Sequence, residues 1–342
     1  MFRREPVKPK RLDEITSRYG DLRVALVGDI ALDRYLEIDP ALAEESIETG
    51  LPVHNVVRVR SQPGAGGNVL ANLAALRPKR LAAVGCCGDD GEGAELRRTL
   101  AEMGVDLTHF LSRPDRMTFT YTKPLLVHAD RPPEELSRLD LRSRTPTPAD
   151  LEDEIVGSLG AAAADADVVV AMDQAPEPGC GVVTRRVKTE LAALAKAYPR
   201  KVFIADSRTS IGDFANVRIK VNAEELARRF GAAAEGADLG ALAARWANEL
   251  GRDVFVTLGE DGVLAASAGD VTLAAGIPAE PPIDIVGAGD SVLAGIAMAL
   301  GAGATPAEAA ELGNLAAAVT VRKIGTTGTA TVEELAAMLR RT

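Results

Sequence analysis

The chain is short of cysteine, of aromatic residues and of basic charge, and each shortage excludes something. Three cysteines in 342 residues are too few for a disulfide framework. Cys86 and Cys87 are neighbours that cannot readily bridge, and Cys180 stands alone. All three read as the reduced thiols of a cytoplasmic protein, and none stands at metal-ligand spacing. Aromatic residues make up 4% and the formal net charge is −10. With no basic block either, nucleic acid and anionic membrane surfaces are excluded as expected partners. No apolar run reaches the roughly 18 residues that a membrane-spanning helix needs. The opening MFRREPVKPKRLDE is basic but has no apolar h-region, so a solvated lead-in is expected there rather than a secretory signal.

What is present is the profile of a globular α/β protein. Hydrophobic residues make up 46% and charged residues 26%. Short apolar runs recur at 23–28 (RVALVG), 80–88, 166–173, 201–206, 218–222 and 253–259. Several are almost continuously apolar, as strands buried on both faces are. Between them, residues 67–76, 93–104, 185–199, 222–231 and 237–251 carry apolar positions at helical spacing. Strand–helix alternation of this kind predicts right-handed crossovers, hence a mostly parallel central sheet with helices on both faces, a three-layer α/β/α fold. Two segments, about 34–62 and 116–142, alternate like strands and carry no helical period. They predict four or so short strands outside the main sheet, a small β-lid.

Five constellations could carry chemistry. GDIALD places Asp29 and Asp33 after a buried strand, where open α/β sheets bind ligands; both could also be plain loop carboxylates. GAGGNVLANLA places Gly66, Gly67 and Asn68 at a helix start, either a Gly-rich turn or a close backbone approach to a polyhydroxyl ligand. Asn222 and Glu225 stand at N-x-x-E spacing, which suits a capping box or a carboxylate facing a hydrated Mg²⁺. Thr257, Gly259 and Gly262 mark a strand–turn–strand, either a hairpin or a phosphate contact. DIVGAGDSVLAG runs Gly287, Ala288 and Gly289 into Asp290 and then a long apolar helix over roughly 290–301. That is a capped turn or an anion site at a helix N-terminus.

Taken in this order, the five resemble the pfkB or ribokinase family of carbohydrate kinases, over about residues 22–340. The most specific pieces are GAGGNVLANLA and DIVGAGDSVLAG. Within the family the chain is most similar to the kinase domain of heptose-phosphate kinases, through GDIALDRY, SRLDLRSR and VRKIGTTGTATVEEL. It departs from them at QAPEPGCGVV and EESIETGLPV. The chain stops at Thr342 without the nucleotidyltransferase domain sometimes fused to that kinase, so one ribokinase-like domain over 1–342 is expected.

The resemblance implies ATP-dependent phosphoryl transfer to the hydroxyl of a sugar or sugar phosphate, such as heptose 7-phosphate. It implies Asp290 as base and Gly287, Ala288 and Gly289 as an anion hole. Asp29, Asp33, Gly66, Gly67, Asn68 and Arg138 would hold the sugar, with Arg34 and Arg208 as further candidates for a substrate phosphate. Asn222, Glu225, Thr257, Gly259, Gly262 and Asn314 would serve the nucleotide. Glu225 would face Mg²⁺ through water, and Asp284 would meet a monovalent cation such as K⁺. The lid would exclude water and pair two copies into a homodimer. The alternative is a non-catalytic sugar- or nucleotide-binding protein on the same fold, which would have no use for Asp290. A nicotinamide oxidoreductase is excluded, since no strand leads into G-x-G-x-x-G with an acidic residue about 20 positions on.

Overall fold

The computed structural model describes residues 6–325 and 327–341. The central sheet has nine strands. From one edge to the other they are Asp270–Ala275, Gly262–Ser267, Val254–Thr257, Arg218–Asn222, Val202–Ser207, Val168–Asp173, Arg23–Gly28, Arg80–Gly88 and Asp106–Arg113. Neighbours are parallel throughout, except that Gly262–Ser267 runs antiparallel to both strands beside it. The apolar runs explain the burial: every residue of Val168–Asp173 and of Val202–Ser207 is buried. Such strands need cover on both faces.

That cover comes as two helical layers over two core clusters. One cluster takes apolar residues from Pro9–Thr16, Gly66–Ala75, Gly91–Glu102, Ala288–Gly301, Pro306–Thr320 and Val332–Leu339. The other takes them from Ala149–Asp165, Arg185–Ala197, Ala223–Arg229 and Leu239–Leu250. The helix Ala288–Gly301 is buried on all sides from Ser291 to Leu300, as a helix without a polar face must be.

The N-terminal expectation needs correcting. Residues 9–16 form a helix, and Leu12 and Ile15 are each 1% exposed. The positive charges of MFRREPVKPKRLDE mask that two-residue apolar face. Arg11 is half-buried and pairs with Glu308 at 3.0 Å.

A second sheet lies outside the first. Its order is Leu139–Leu141, Thr120–Leu126, Ile30–Ile38 and Val56–Ala65, with Glu134–Glu135 pairing with Thr120–Leu126. Its strands run past the expected bounds of 34–62, because the chain leaves the central sheet at Gly28 and re-enters a strand at Ile30. Asp29 is the single residue between them, at the carboxyl end of the central sheet. Ala65 closes the second sheet and leads at once into the helix Gly66–Ala75.

Candidate active site

The carboxyl ends of the parallel strands converge on the start of the helix Ala288–Gly301. Gly287 is its N-cap, with φ +78°, in the left-handed region that favours glycine. Asp290 lies in the first turn, where a carboxylate gains from the helix dipole. Asp290 keeps some solvent exposure, but protein atoms surround its carboxyl, and that burial pushes it up to about 7. Lys220 opposes the rise, Asp206 adds to it, and an Asn68 side-chain hydrogen bond and Arg208 oppose it. Asn68 from the Gly-rich helix start therefore meets the GAGD turn, as their sequence separation alone could not reveal.

Lys220 and Asp206 escaped the sequence reading. Lys220 is 6% exposed, and its Nζ donates to Asp206 Oδ2 at 2.6 Å. Burial works to lower the ammonium, but Asp206 and then Asp290 outweigh it and hold the group above its ordinary value. The signal was present in RIKVN: a lysine inside a strand buried on both faces must find a partner.

On the side expected to hold the sugar, Asp33 is 5% exposed and accepts from Lys123 Nζ at 3.0 Å. Lys123 also reaches the Tyr35 hydroxyl at 3.3 Å. Gln62, opposite Asp33 in the second sheet, donates to Thr327 Oγ1 at 2.9 Å and to Tyr35 at 3.3 Å. The second sheet is thus tied to the segment after residue 326. Arg138 stacks 4.2 Å from the Tyr121 ring centre and pairs with Asp140 at 2.6 Å. Arg208 is exposed, hydrogen-bonds Tyr121, and is one of the charges felt by Asp290.

Two expectations on this side fail. Asp29 does not offer itself to hydroxyls. Its two carboxylate oxygens accept the backbone N–H groups of Gln174, Ala175 and Val182 at 2.8, 2.9 and 2.7 Å, so it anchors the 174–182 loop. Arg34 turns away to Glu92 and Glu95, at 3.0 and 2.9 Å. Gly66 and Gly67 serve backbone packing: a Cβ on Gly66 would lie 2.8 Å from the Asp29 carbonyl oxygen.

Of the residues expected to serve the nucleotide, Asn222 and Thr257 are register partners on adjacent parallel strands. Asn222 and Glu225 close a full capping box: the Asn222 N–H donates to the Glu225 carboxylate and the Glu225 N–H donates to the Asn222 amide oxygen, each at 2.8 Å. The bland reading of N-x-x-E is therefore realised, and one Glu225 oxygen remains outside the box. Glu225 is half-buried and raised, chiefly by burial. Among the described residues no group of three or more His, Cys, Asp or Glu could cage a metal. Gly259 and Gly262 both take positive φ at the turn. Asn314 is buried and donates to the Ala275 carbonyl at 2.7 Å, beside a cleft lined also by Ile277 and Leu315. Asp284 is half-buried and accepts from the Val286 N–H at 3.0 Å.

Residues 216–333, which hold the strand of Lys220, the turn and Asp290, match the pfkB family of carbohydrate kinases. The bifunctional protein HldE of Mesorhizobium japonicum is 30% identical over 348 residues, covering 100% of this chain and 66% of that one. The HldE of Azorhizobium caulinodans is 32% identical over 324 residues, covering 93% and 64%.

The chain belongs to the pfkB family.

It is, by that membership, a carbohydrate kinase, and ATP use follows from the family. The pfkB chain spans about two thirds of the length of these relatives. Its fold is shared with Arabidopsis thaliana ribokinase complexed with ribose and ATP, at a TM-score of 0.68 and 20% identity, covering 94% of this chain and 99% of that one. It is shared equally with Escherichia coli phosphofructokinase-2 in complex with potassium, at a TM-score of 0.72 and 18% identity, with 94% and 99% covered. No described helix is long and apolar enough to cross a membrane.

Proposed function

We propose that the protein transfers the γ-phosphoryl group of ATP to a hydroxyl of a sugar phosphate of the heptose 7-phosphate class, with Asp290 as general base. The observation that carries this reading is a carboxyl at the mouth of a buried helix, raised to about 7 and hydrogen-bonded by Asn68. A base poised near neutrality takes a hydroxyl proton most effectively. The sugar oxygen forms a bond to phosphorus, the bond from phosphorus to the ADP oxygen breaks, and the hydroxyl proton passes to Asp290. The N–H groups of Gly287, Ala288 and Gly289 stabilise the charge on the transferring group.

Asp33 and Asn68 orient the acceptor, and Arg138 and Arg208 supply cationic donors near Tyr121 for a phosphate on it. Thr257, Gly259, Gly262 and Asn314 line the nucleotide side. Mg²⁺ supplies charge neutralisation to the phosphates, with Asn222 and Glu225 the residues that would hold its water shell. Asp284 is the residue that would hold a monovalent cation. The second sheet acts as a lid that keeps water, a competing acceptor, from the phosphoryl group.

The test is ADP release with a panel of sugars and sugar phosphates that includes heptose 7-phosphate. Turnover should be highest with a phosphorylated acceptor and fall about 10²–10⁴-fold in Asp290→Asn. No turnover with any acceptor, or full turnover in Asp290→Asn, would sink the reading.

A further inference from the structure

We propose that Lys220 is a second catalytic group, whose ammonium meets the phosphoryl group in transfer through the gap left by the missing side chain of Gly289. This rests on the reading of the Gly287–Asp290 turn as the phosphoryl site.

The argument begins with an incomplete partnership. A buried ammonium has three N–H donors, and it is expensive to leave them unmet. Among the described residues, Asp206 is the one hydrogen-bond partner of Lys220 Nζ. Asp206 grips the head from the neighbouring strand, Val202–Ser207, and leaves donor directions free. Those directions are bounded by the turn. A Cβ built on Gly289 would stand 3.1 Å from Nζ, its nearest neighbour. Glycine at 289 thus leaves a window between the ammonium and the anion hole, and an alanine there would put a methyl group in it.

Three carboxyls, Asp206, Asp290 and Glu225, bear on the ammonium, and Arg208 adds a second cation at the same turn. The groups that bear on Asp290 are Lys220 and Asp206 from the sheet, Asn68 from the helix Gly66–Ala75, and Arg208 after the strand Val202–Ser207. Glu225, at the start of the next helix, bears on Lys220. Asp206 holds the lysine from behind, so its position is fixed before the substrate arrives. Preorganised donors of this kind act most strongly where charge spreads over the transferring oxygens. Lys220 takes no proton and breaks no bond; it stabilises the group while Asp290 takes the proton.

The competing explanation is that Lys220 merely neutralises a buried Asp206. A pair kept for structure alone is dispensable when both members are replaced by apolar residues. The deciding comparison is therefore Lys220→Met against Lys220→Met combined with Asp206→Leu. The single variant strands a buried carboxylate and can fail to fold; the double variant carries no stranded charge.

The double variant is expected to melt within a few degrees of the parent. Its kcat should fall by about 10²–10³-fold, with the KM for sugar little changed. In the absence of sugar, its preference for binding ATP over ADP should drop roughly tenfold, the loss of a charge-assisted contact to the terminal phosphoryl group. A double variant with kcat and ATP preference close to the parent's would overturn the role of Lys220. The binding arm needs no known acceptor. A parent that turns over no sugar would count against the kinase reading, while its ATP preference would still decide for or against Lys220.

Discussion

At the scale of the residue, Asp290 carries the sharpest expectations. Its carboxyl lies near 7 because burial disfavours the charge more than Lys220, Asn68 and Arg208 restore it. A base must be ionised to act, so kcat/KM should rise as pH climbs through about 7 and level off above it. A profile flat from pH 5 to 9 would mean that another group sets the base. Asp290→Asn should lose about 10²–10⁴-fold in turnover and keep nucleotide affinity. The same shift acts on stability with the opposite sign. The folded carboxyl holds its proton more tightly than the unfolded one, whose ordinary value is 3.8. Folding therefore suffers a growing penalty as pH rises from about 4 to about 7, constant above that. Asp290→Asn should accordingly raise the melting temperature over the parent by a margin that widens across that window and is nearly nil at pH 4. An equal margin at every pH would contradict it.

At the scale of the element, the N-terminal helix gives a direct test of a corrected expectation. If Pro9–Thr16 belongs to the core, Leu12→Ala should cost about 2–5 kcal/mol in denaturant unfolding. A loss below about 0.5 kcal/mol would be the mark of a surface segment. The same element marks where sequence patterning ran out. Strands buried on both faces announce themselves by composition: Arg23–Gly28, Arg80–Gly88 and Arg218–Asn222 match the expected runs residue for residue. Helices with a clear apolar stripe, such as Arg185–Ala197, were also legible. Pro9–Thr16 was not, because two buried apolar side chains beside Lys10 and Arg11 make no visible stripe. Ala149–Asp165, Pro306–Thr320 and Val332–Leu339 are alanine- and glutamate-rich, and alanine packs against a core without standing out from the background. The site divides the same way. Asn68, Asn222, Thr257 and Asp290 sit in short motifs with fixed spacing. Asp206, Lys123 and Gln62 act through contacts between strands distant in sequence, which no local pattern encodes, while Lys220 shows locally only as a lysine in a buried strand whose partner the sequence does not name.

At the scale of the whole molecule, the open question is what covers the second sheet. Among the described residues the strand Val56–Ala65 pairs on one side only, with Ile30–Ile38, so its other edge presents backbone donors and acceptors. Val56, Val57 and Val59 are 43%, 55% and 51% exposed, and Leu139 at the sheet's far side is 58% exposed. A long, partly apolar open edge invites another strand, and a second copy of this chain offers the same edge, as a two-fold interface requires. Sedimentation at micromolar concentration should therefore give twice the 35.8 kDa chain mass. Val57→Asp combined with Val59→Asp should return it to one. Because Gln62 lies on that same strand and reaches Thr327 beside the turn, loss of pairing should loosen the lid and raise the KM for sugar more than that for ATP. A parent that sediments as a single chain would remove the dimer, and a double variant that dissociates with both KM values unchanged would uncouple it from the site.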